Sequence, residues 1–190
     1  MGLFASQVSG GSSSVSNLET EYFTTATSAV VFDLDFVSYQ ILEITGWLRS
    51  STSNTAPILQ LSYDGTNYIT SSVYVGSSAH RISTTAAAVA ATATKTGFSC
   101  NYADVFFAAR TRIDYSAKLI SNGYNTDANF LNMAYINAIG MLSGSTLVIQ
   151  NESVGSDNTN TSAAPVKARL VNADGSAFLG GRLQLIGVPK

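Results

Sequence analysis

The chain has 190 residues, of which 45% are apolar and 12% are charged, and its formal net charge is −2. This length and apolar content suit one domain with a sizeable core and exclude a wholly disordered chain. Charged residues are about half as frequent as in an average soluble protein, so Ser, Thr and Asn must supply the polar surface. Because the basic residues are few and scattered along the chain, we expect no nucleic acid partner. Apolar runs far shorter than about 20 residues predict no membrane insertion.

The N-terminal residues have the composition of a linker. Residues 9–17 are rich in Gly and Ser, and they separate an apolar tip, Leu3 and Phe4, from the remainder. We therefore predict a flexible N-terminal arm or linker over 1–17 and a β-sandwich domain over 18–190. Two interpretations of the arm stay open: a frayed terminus, or an attachment arm that contacts a larger assembly through Leu3 and Phe4.

From about residue 22 onward, alternating apolar and polar residues predict β-strands. In chain order these segments are 29–36, 39–48, 58–63, 68–75, 104–120, 146–150, 166–171 and 182–188. Asp64-Gly65 predicts a tight hairpin turn between two of them. Residues 130–136 fit a strand or a helix. The Ala- and Thr-rich residues 84–96 fit a helical turn, an irregular loop or a small-residue interface strand.

The segment 151–164 is rich in Asn, Thr and Ser and predicts a long exposed loop, of a length typical of functional or assembly loops. Roughly nine strands with turn residues at short intervals favour two packed sheets over a helical or α/β fold. The sequence therefore predicts an all-β fold, an antiparallel β-sandwich that is jelly-roll-like, with a flexible N-terminal arm.

The residue types that usually carry catalysis are scarce. The one histidine, His80, lies beside Arg81 at a strand start and is expected on the surface, and no Gly-x-Ser-x-Gly elbow is present. The one cysteine, Cys100, is expected to be a small buried hydrophobe. Asp33 and Asp35 lie roughly 7 Å apart along one strand face, where alternating carboxylates more often form a wet surface than a glycosidase pair. We predict no enzyme activity, no cofactor and no metal site.

A binding or assembly surface remains. Trp47, Tyr63, Tyr68 and Tyr74 are candidate contacts for a partner or a glycan, because aromatic rings stack on sugars and are favoured in interfaces. The alternative that these residues belong to the core stays open.

Three segments resemble a family of bacteriophage tail and tail-fibre structural domains. The similar segments are Tyr39–Ile44, Leu59–Tyr68 with its Asp-Gly turn, and Gly181–Val188. The similarity spans roughly residues 22–190, and residues 86–96 depart from it. The resemblance implies a jelly-roll-like virion structural protein that is surface-exposed and commonly a homotrimer.

We therefore expect a phage virion structural protein at the virion surface, a small tail-fibre or receptor-binding component. Its partners would be copies of itself, other virion proteins and host surface glycan. The loops 50–56 and 151–164 would then face the host. A capsid decoration or head-fibre protein is the alternative, and a carbohydrate-binding module or hydrolase subunit is a further one.

Overall fold

The computed structural model describes residues 15–52, 55–82, 91–100, 107–121, 132–141, 143–144, 148–157 and 163–190. These residues form twelve β-strands and contain no helix that could cross a membrane. The strands are β1 (Ser16–Phe23), β2 (Val30–Asp33), β3 (Tyr39–Ser50), β4 (Pro57–Ser62), β5 (Tyr74–Ile82), β6 (Ala91–Lys95), β7 (Phe98–Ser99), β8 (Ile113–Ile120), β9 (Met133–Met141), β10 (Val148–Asp157), β11 (Lys167–Asn172) and β12 (Phe178–Pro189). The all-β prediction is confirmed.

The strands build two antiparallel sheets with jelly-roll connectivity. The larger sheet has the order β1-β12-β3-β8-β9-β10-β5-β6, and the smaller has the order β2-β11-β4-β7. The chain passes from one sheet to the other at every connection except those from β5 to β6, from β8 to β9 and from β9 to β10. Together β1-β12-β3-β8 and β2-β11-β4-β7 form the two four-stranded sheets of a jelly roll. The other four strands extend the larger sheet beyond β8, and the predicted sandwich is confirmed.

The core lies between the sheets, and several strands direct apolar residues inward and polar residues outward. In β8 the alternation is complete: Ile113, Tyr115, Ala117 and Leu119 are buried, while the residues between them are exposed or half-buried. One hydrophobic cluster joins residues of both sheets, among them Phe32, Leu42, Ile44, Leu48, Leu59, Leu61, Leu170, Phe178 and Leu183. Burial of each such side chain stabilises the fold by about 1.5–3 kcal/mol.

Gly46 permits the close contact of β3 with β12. Its φ is +148°, and a Cβ atom there would lie 2.0 Å from the carbonyl oxygen of Arg182. Only glycine fits this position without a shift of one strand.

The structure corrects several predicted boundaries. Ser16 and Asn17 belong to β1 and pair with Gly187 and Ile186, so the arm predicted over 1–17 extends too far. Leu3 and Phe4 lie outside the described residues, as does 83–90. Of the segment 130–136, residues 133–136 are strand, in β9. Residues 91–95 form β6 at the edge of the larger sheet. This part of the Ala- and Thr-rich segment is therefore a strand and neither a helical turn nor a loop.

The predicted loop 151–164 is wrong for its first half. These residues continue β10 as far as Asp157, and Asn151 and Asp157 are buried on its inner face. The polar composition of this segment suggested a loop. In the structure its inward polar side chains belong to a polar cluster inside the sandwich. The predicted strand 68–75 is also wrong for most of its length, because Tyr68 forms only an isolated bridge with Ser62.

Candidate functional site

The four aromatic residues predicted to contact a partner lie in three different places. Trp47 is half-buried on the outer face of the larger sheet, and Tyr68 is half-buried beside the outer face of the smaller sheet. Tyr63 and Tyr74 lie at or inside the region between the sheets. These residues therefore do not form one aromatic platform.

Tyr74 is a core residue, and its predicted role as a contact is corrected. Its side chain has no exposed surface. The hydroxyl accepts a hydrogen bond from the Leu61 amide at 2.9 Å and donates to the Ile69 carbonyl at 3.3 Å. The ring meets Phe98 edge to face, with centroids 4.8 Å apart. Burial raises the pKa of the Tyr74 phenol.

Tyr63 belongs to a polar cluster that connects the two sheets. Its hydroxyl donates to the carboxylate of Asp157 at the end of β10 and accepts from the Asn132 side-chain amide at 2.7 Å. The Ser121 hydroxyl donates to the Asn132 side-chain carbonyl at 2.8 Å. Since Tyr63 directly follows β4 and Asn132 directly precedes β9, the cluster holds the two sheets together. Its function is structural on this geometry.

Tyr68 lies on the opposite side of the molecule from Trp47. The guanidinium of Arg169 is 4.4 Å from the Tyr68 ring centroid, a cation–π contact. Arg169 also donates to the Gln60 side chain at 2.8 Å, and Gln60 donates to the Thr96 carbonyl at 2.9 Å. Tyr68 is thereby fixed on the smaller sheet, and a contact role for it stays a prediction.

A groove crosses the outer face of the larger sheet where β3 and β8 meet the added strands β9 and β10. Its volume is about 520 Å³, within the range typical of ligand sites, and its side chains are mostly polar. The lining includes Glu43, Ser116, Lys118, Tyr135, Asn137 and Glu152. A smaller depression shares Ser116 and Asn137 with it and continues to Thr45 and Asp114, beside Trp47. The two form one continuous surface, called the outer groove below.

Hydrogen bonds hold the polar groups of the outer groove in place. The Ser116 hydroxyl donates to the Glu43 carboxylate at 2.7 Å. The Gln150 amide donates to the Glu152 carboxylate at 2.8 Å and to the Asn137 carbonyl at 3.4 Å. Tyr135 stands at the wall with 46% of its surface exposed. Fixed acceptors and donors beside an exposed aromatic ring match the hydroxyls and apolar face of a saccharide.

The two carboxylates that line the larger depression of the outer groove are spaced more widely than a glycosidase pair. Glu43 and Glu152 lie on strands separated by β8 and β9, so strand geometry places them roughly 14 Å apart or more. Glycosidase pairs are separated by about 5–10 Å.

The predicted acidic pair on and after β2 has structural roles. Asp33 forms an ion pair with Lys167 at 3.2 Å. Asp35 lies beyond the strand, and its carboxylate accepts the backbone amides of Val37 and Ser38 at 3.0 Å each. Hydrogen bonds from the Ser38 side chain and amide, and then from the Val37 amide, hold the pKa of Asp35 below its ordinary value. A carboxyl group that stays ionised in this way is unsuited to donate a proton.

The histidine and the cysteine are both buried. His80 is only 8% exposed on the inner face of β5, so its predicted surface position is wrong, and its Nδ1 has no hydrogen-bond partner in the described part of the chain. Cys100 is fully buried, as expected, and burial raises the pKa of its thiol to about 12. Among the described residues no three His, Cys, Asp or Glu side chains could hold a metal ion.

No protein-family model, curated protein or solved structure matches the chain. Functional inference therefore depends on the geometry of the outer groove. Sequence reasoning missed Tyr135, Asn137 and Glu152 in that groove. The alternation in β9 could have identified Tyr135 and Asn137 as outward residues, but their position opposite β8 and β10 depends on the sheet order.

Proposed function

We propose that this protein is a virion structural protein of the tail-fibre or receptor-binding type that binds a host surface glycan without cleaving it. The observation that carries the proposal is the outer groove, which is lined mostly by polar residues and has an exposed aromatic wall at Tyr135. Its hydrogen-bonded carboxylates and amides suit sugar hydroxyls, and their separation disfavours hydrolysis.

The position of the groove supports the proposal. It lies on a broad sheet face, supported from beneath by the central part of the core, so its side chains are held by regular strands rather than by a loop. The low share of charged residues is consistent with a surface that meets neutral hydroxyl groups. Two of the segments that resemble phage tail domains coincide with β3 and β12, which are neighbours in this sheet.

An array of bacterial surface glycans probed with the full chain tests the binding function. We expect retention on a subset of glycans and a loss of at least about tenfold in affinity for Tyr135→Ala or Asn137→Ala, because each removes a fixed contact. Tyr68→Ala is the matched control, since it removes an aromatic ring from the smaller sheet. Loss of binding in the control alone, or no retention of the wild-type chain, would contradict the proposal.

Labelling of particles tests the virion role. Antibody against the chain should mark the tail region of purified phage particles from the strain that encodes it. Labelling confined to the head would favour a decoration or head-fibre role instead. Unlabelled particles, with the chain found only in the soluble fraction of the lysate, would refute the virion assignment.

One observation supports a homo-oligomer in either role. Val188, Ile41, Ile120 and Met133 are aligned in register across β12, β3, β8 and β9 on the outer face, where alternation normally places polar residues. An outward apolar row of this kind suits burial against another copy of the chain. Light scattering of the purified chain should then give a trimer that Ile120→Lys dissociates. A wild-type chain that stays monomeric at high concentration would remove this support.

A further inference from the structure

One line of paired residues crosses the outer face beside the outer groove. Tyr22 pairs with Arg182, Arg182 with Trp47, and Trp47 with Asp114, across the adjacent strands β1, β12, β3 and β8. All four side chains point away from the core, and Tyr22 is 67% exposed. Arg182 is therefore flanked by two aromatic rings on the solvent side of the sheet.

A second arginine lies over Trp47. The guanidinium carbon of Arg112 is 5.6 Å from the centroid of the indole ring. The same guanidinium contacts the Asp114 carboxylate at 2.6 and 2.7 Å. Asp114 thus holds Arg112 in position at the end of the outer groove that this aspartate also lines.

Arg49 follows two residues after Trp47 on the same face of β3. Its partner in β12 is Gly180, and a Cβ atom at that glycine would lie 3.2 Å from the Arg49 Nη2. The missing side chain leaves room for the Arg49 guanidinium on the side of the sheet where Arg182 lies. Arg110, whose φ of 62° is unusual for a side-chain-bearing residue, donates its backbone amide to the carbonyl of Ser50, the residue after Arg49.

These residues form an arginine patch, defined here as Arg49, Arg112 and Arg182 on the outer face at Trp47, together with Arg110, whose backbone is bonded to Ser50. It contains four of the six arginines in a chain whose formal net charge is −2. Within the described residues no carboxylate forms an ion pair with Arg49, Arg110 or Arg182. The other nearby carboxylate, Asp174, instead accepts from the hydroxyl of Thr52 and the amide of Ser176. The patch therefore has unneutralised positive charge on an exposed surface.

We propose that the arginine patch binds the anionic group of an acidic glycan, a carboxylate or a phosphate, while the uncharged part of the same chain lies in the outer groove. Charge complementarity selects this ligand, because guanidinium forks bind such groups with two hydrogen bonds each. The rings of Tyr22 and Trp47 supply stacking surface for the sugar that bears the charge.

The spacing along the face fits one ligand that occupies both regions. Trp47 and Tyr135 are separated by two strands and by four residues along β9, roughly 16 Å by strand geometry. The depression between them is continuous. An oligosaccharide therefore fits better than a single anionic sugar. This inference rests on the proposed glycan-binding function and specifies its ligand.

The test uses acidic polysaccharides from bacterial surfaces, each paired with a neutral form of the same polymer. Carboxyl groups are reduced to alcohols in one arm, and phosphates are removed in the other. Binding to the full chain is followed through the fluorescence of Trp47, the one tryptophan in the sequence. We expect saturable binding of acidic polymers, and at least about tenfold weaker binding after the treatment that removes the charge. The effective treatment identifies the anionic group.

Two variants test the residues. Arg182→Gln and Arg49→Gln should each weaken binding about tenfold, because each loses a charge-assisted contact. Arg81→Gln is the matched control, since Arg81 lies on the same outer face four strands from Trp47 and should leave affinity unchanged. Thermal unfolding of all three should match the wild type, because the side chains are exposed or at the surface.

The failures of the two proposals can be distinguished. Equal binding of acidic and neutralised polymers would overturn the acidic ligand and leave the glycan function intact. If the chain bound poly-glutamate as tightly as the acidic polysaccharides, the assignment of the ligand to a glycan would be overturned. An absence of binding to every polysaccharide would refute the underlying function.

Discussion

Replacement of Tyr74 by phenylalanine tests whether its hydroxyl stabilises the core. The smaller sheet ends at β7, which pairs only with Ile58 and Leu59 of β4. Beyond that point the Tyr74 hydroxyl serves as the acceptor for the Leu61 amide, at 2.9 Å. Tyr74→Phe keeps the ring and its contact with Phe98 but leaves this buried amide without that acceptor.

The expected loss of stability follows from that amide. A buried donor without a partner costs about 1–3 kcal/mol, and the lost contact to the Ile69 carbonyl, at 3.3 Å, is long and adds little. We therefore expect the free energy of unfolding to fall by about 2 kcal/mol. For a domain of this size this lowers the Tm by about 4–8 °C.

Urea unfolding at constant pH measures the change, and an unchanged m-value would indicate that the two proteins expose the same surface. Tyr68→Phe is the control, because the Tyr68 hydroxyl has no hydrogen bond among the described residues and the ring keeps its contact with Arg169. We expect the control within about 0.5 kcal/mol of the wild type. A Tyr74→Phe protein as stable as the control would refute the role given to the hydroxyl.

Three further predictions concern single residues. The hydrogen bonds that Asp64 accepts from Asn67 and Thr66 hold the pKa of Asp64 well below its ordinary value. The ionised carboxylate therefore stabilises the fold above about pH 4, and this stabilisation is lost as the pH falls further. Thermal unfolding from pH 6 to 3 should show a smaller acid loss in Asp64→Asn. Gly46→Ala should destabilise by about 3 kcal/mol or more in urea, since its Cβ meets a carbonyl oxygen, whereas Gly175→Ala, at φ +75° with open space, should cost only about 1 kcal/mol. Cys100 should react with a thiol reagent only at the rate of unfolding; rapid labelling of the native protein would contradict its burial.

Local patterns in the sequence were sufficient to predict the elements that have one buried and one solvated face. In β8 the apolar residues Ile113, Tyr115, Ala117 and Leu119 alternate with other residues, and in β12 Leu183 and Leu185 alternate with polar ones, so both strands could be predicted from the residue pattern. The pattern failed in β10, because its inner face carries Asn151 and Asp157, which are stable inside only through partners on other elements. Such partners depend on the tertiary structure and leave no local signal.

The candidate site could be predicted only in part, for the same physical reason. Trp47 could be named from the sequence as a candidate contact, and it lies half-buried on the outer face, where its contact role stays a prediction. The arginines around Trp47 are far apart in the sequence and looked scattered. Arg182 lies beside Trp47 through the pairing of β12 with β3, which no local pattern reveals. Tyr74 stayed open between a contact residue and a core residue, because a tyrosine in the core and one at a surface look alike until their hydroxyl partners are known.

The insertion of β12 between β1 and β3 has a consequence for how the chain folds. Neither β1 nor that edge of β3 has its final neighbour until residues 178–189 have been synthesised. The larger sheet is therefore completed by contacts between residues that are far apart in the sequence. The chain loses the entropy of the intervening loop before these contacts stabilise it, so such topologies fold slowly. During that interval β3 presents a long unpaired edge to other chains, so the nascent protein is most prone to aggregation just before its last strand is added.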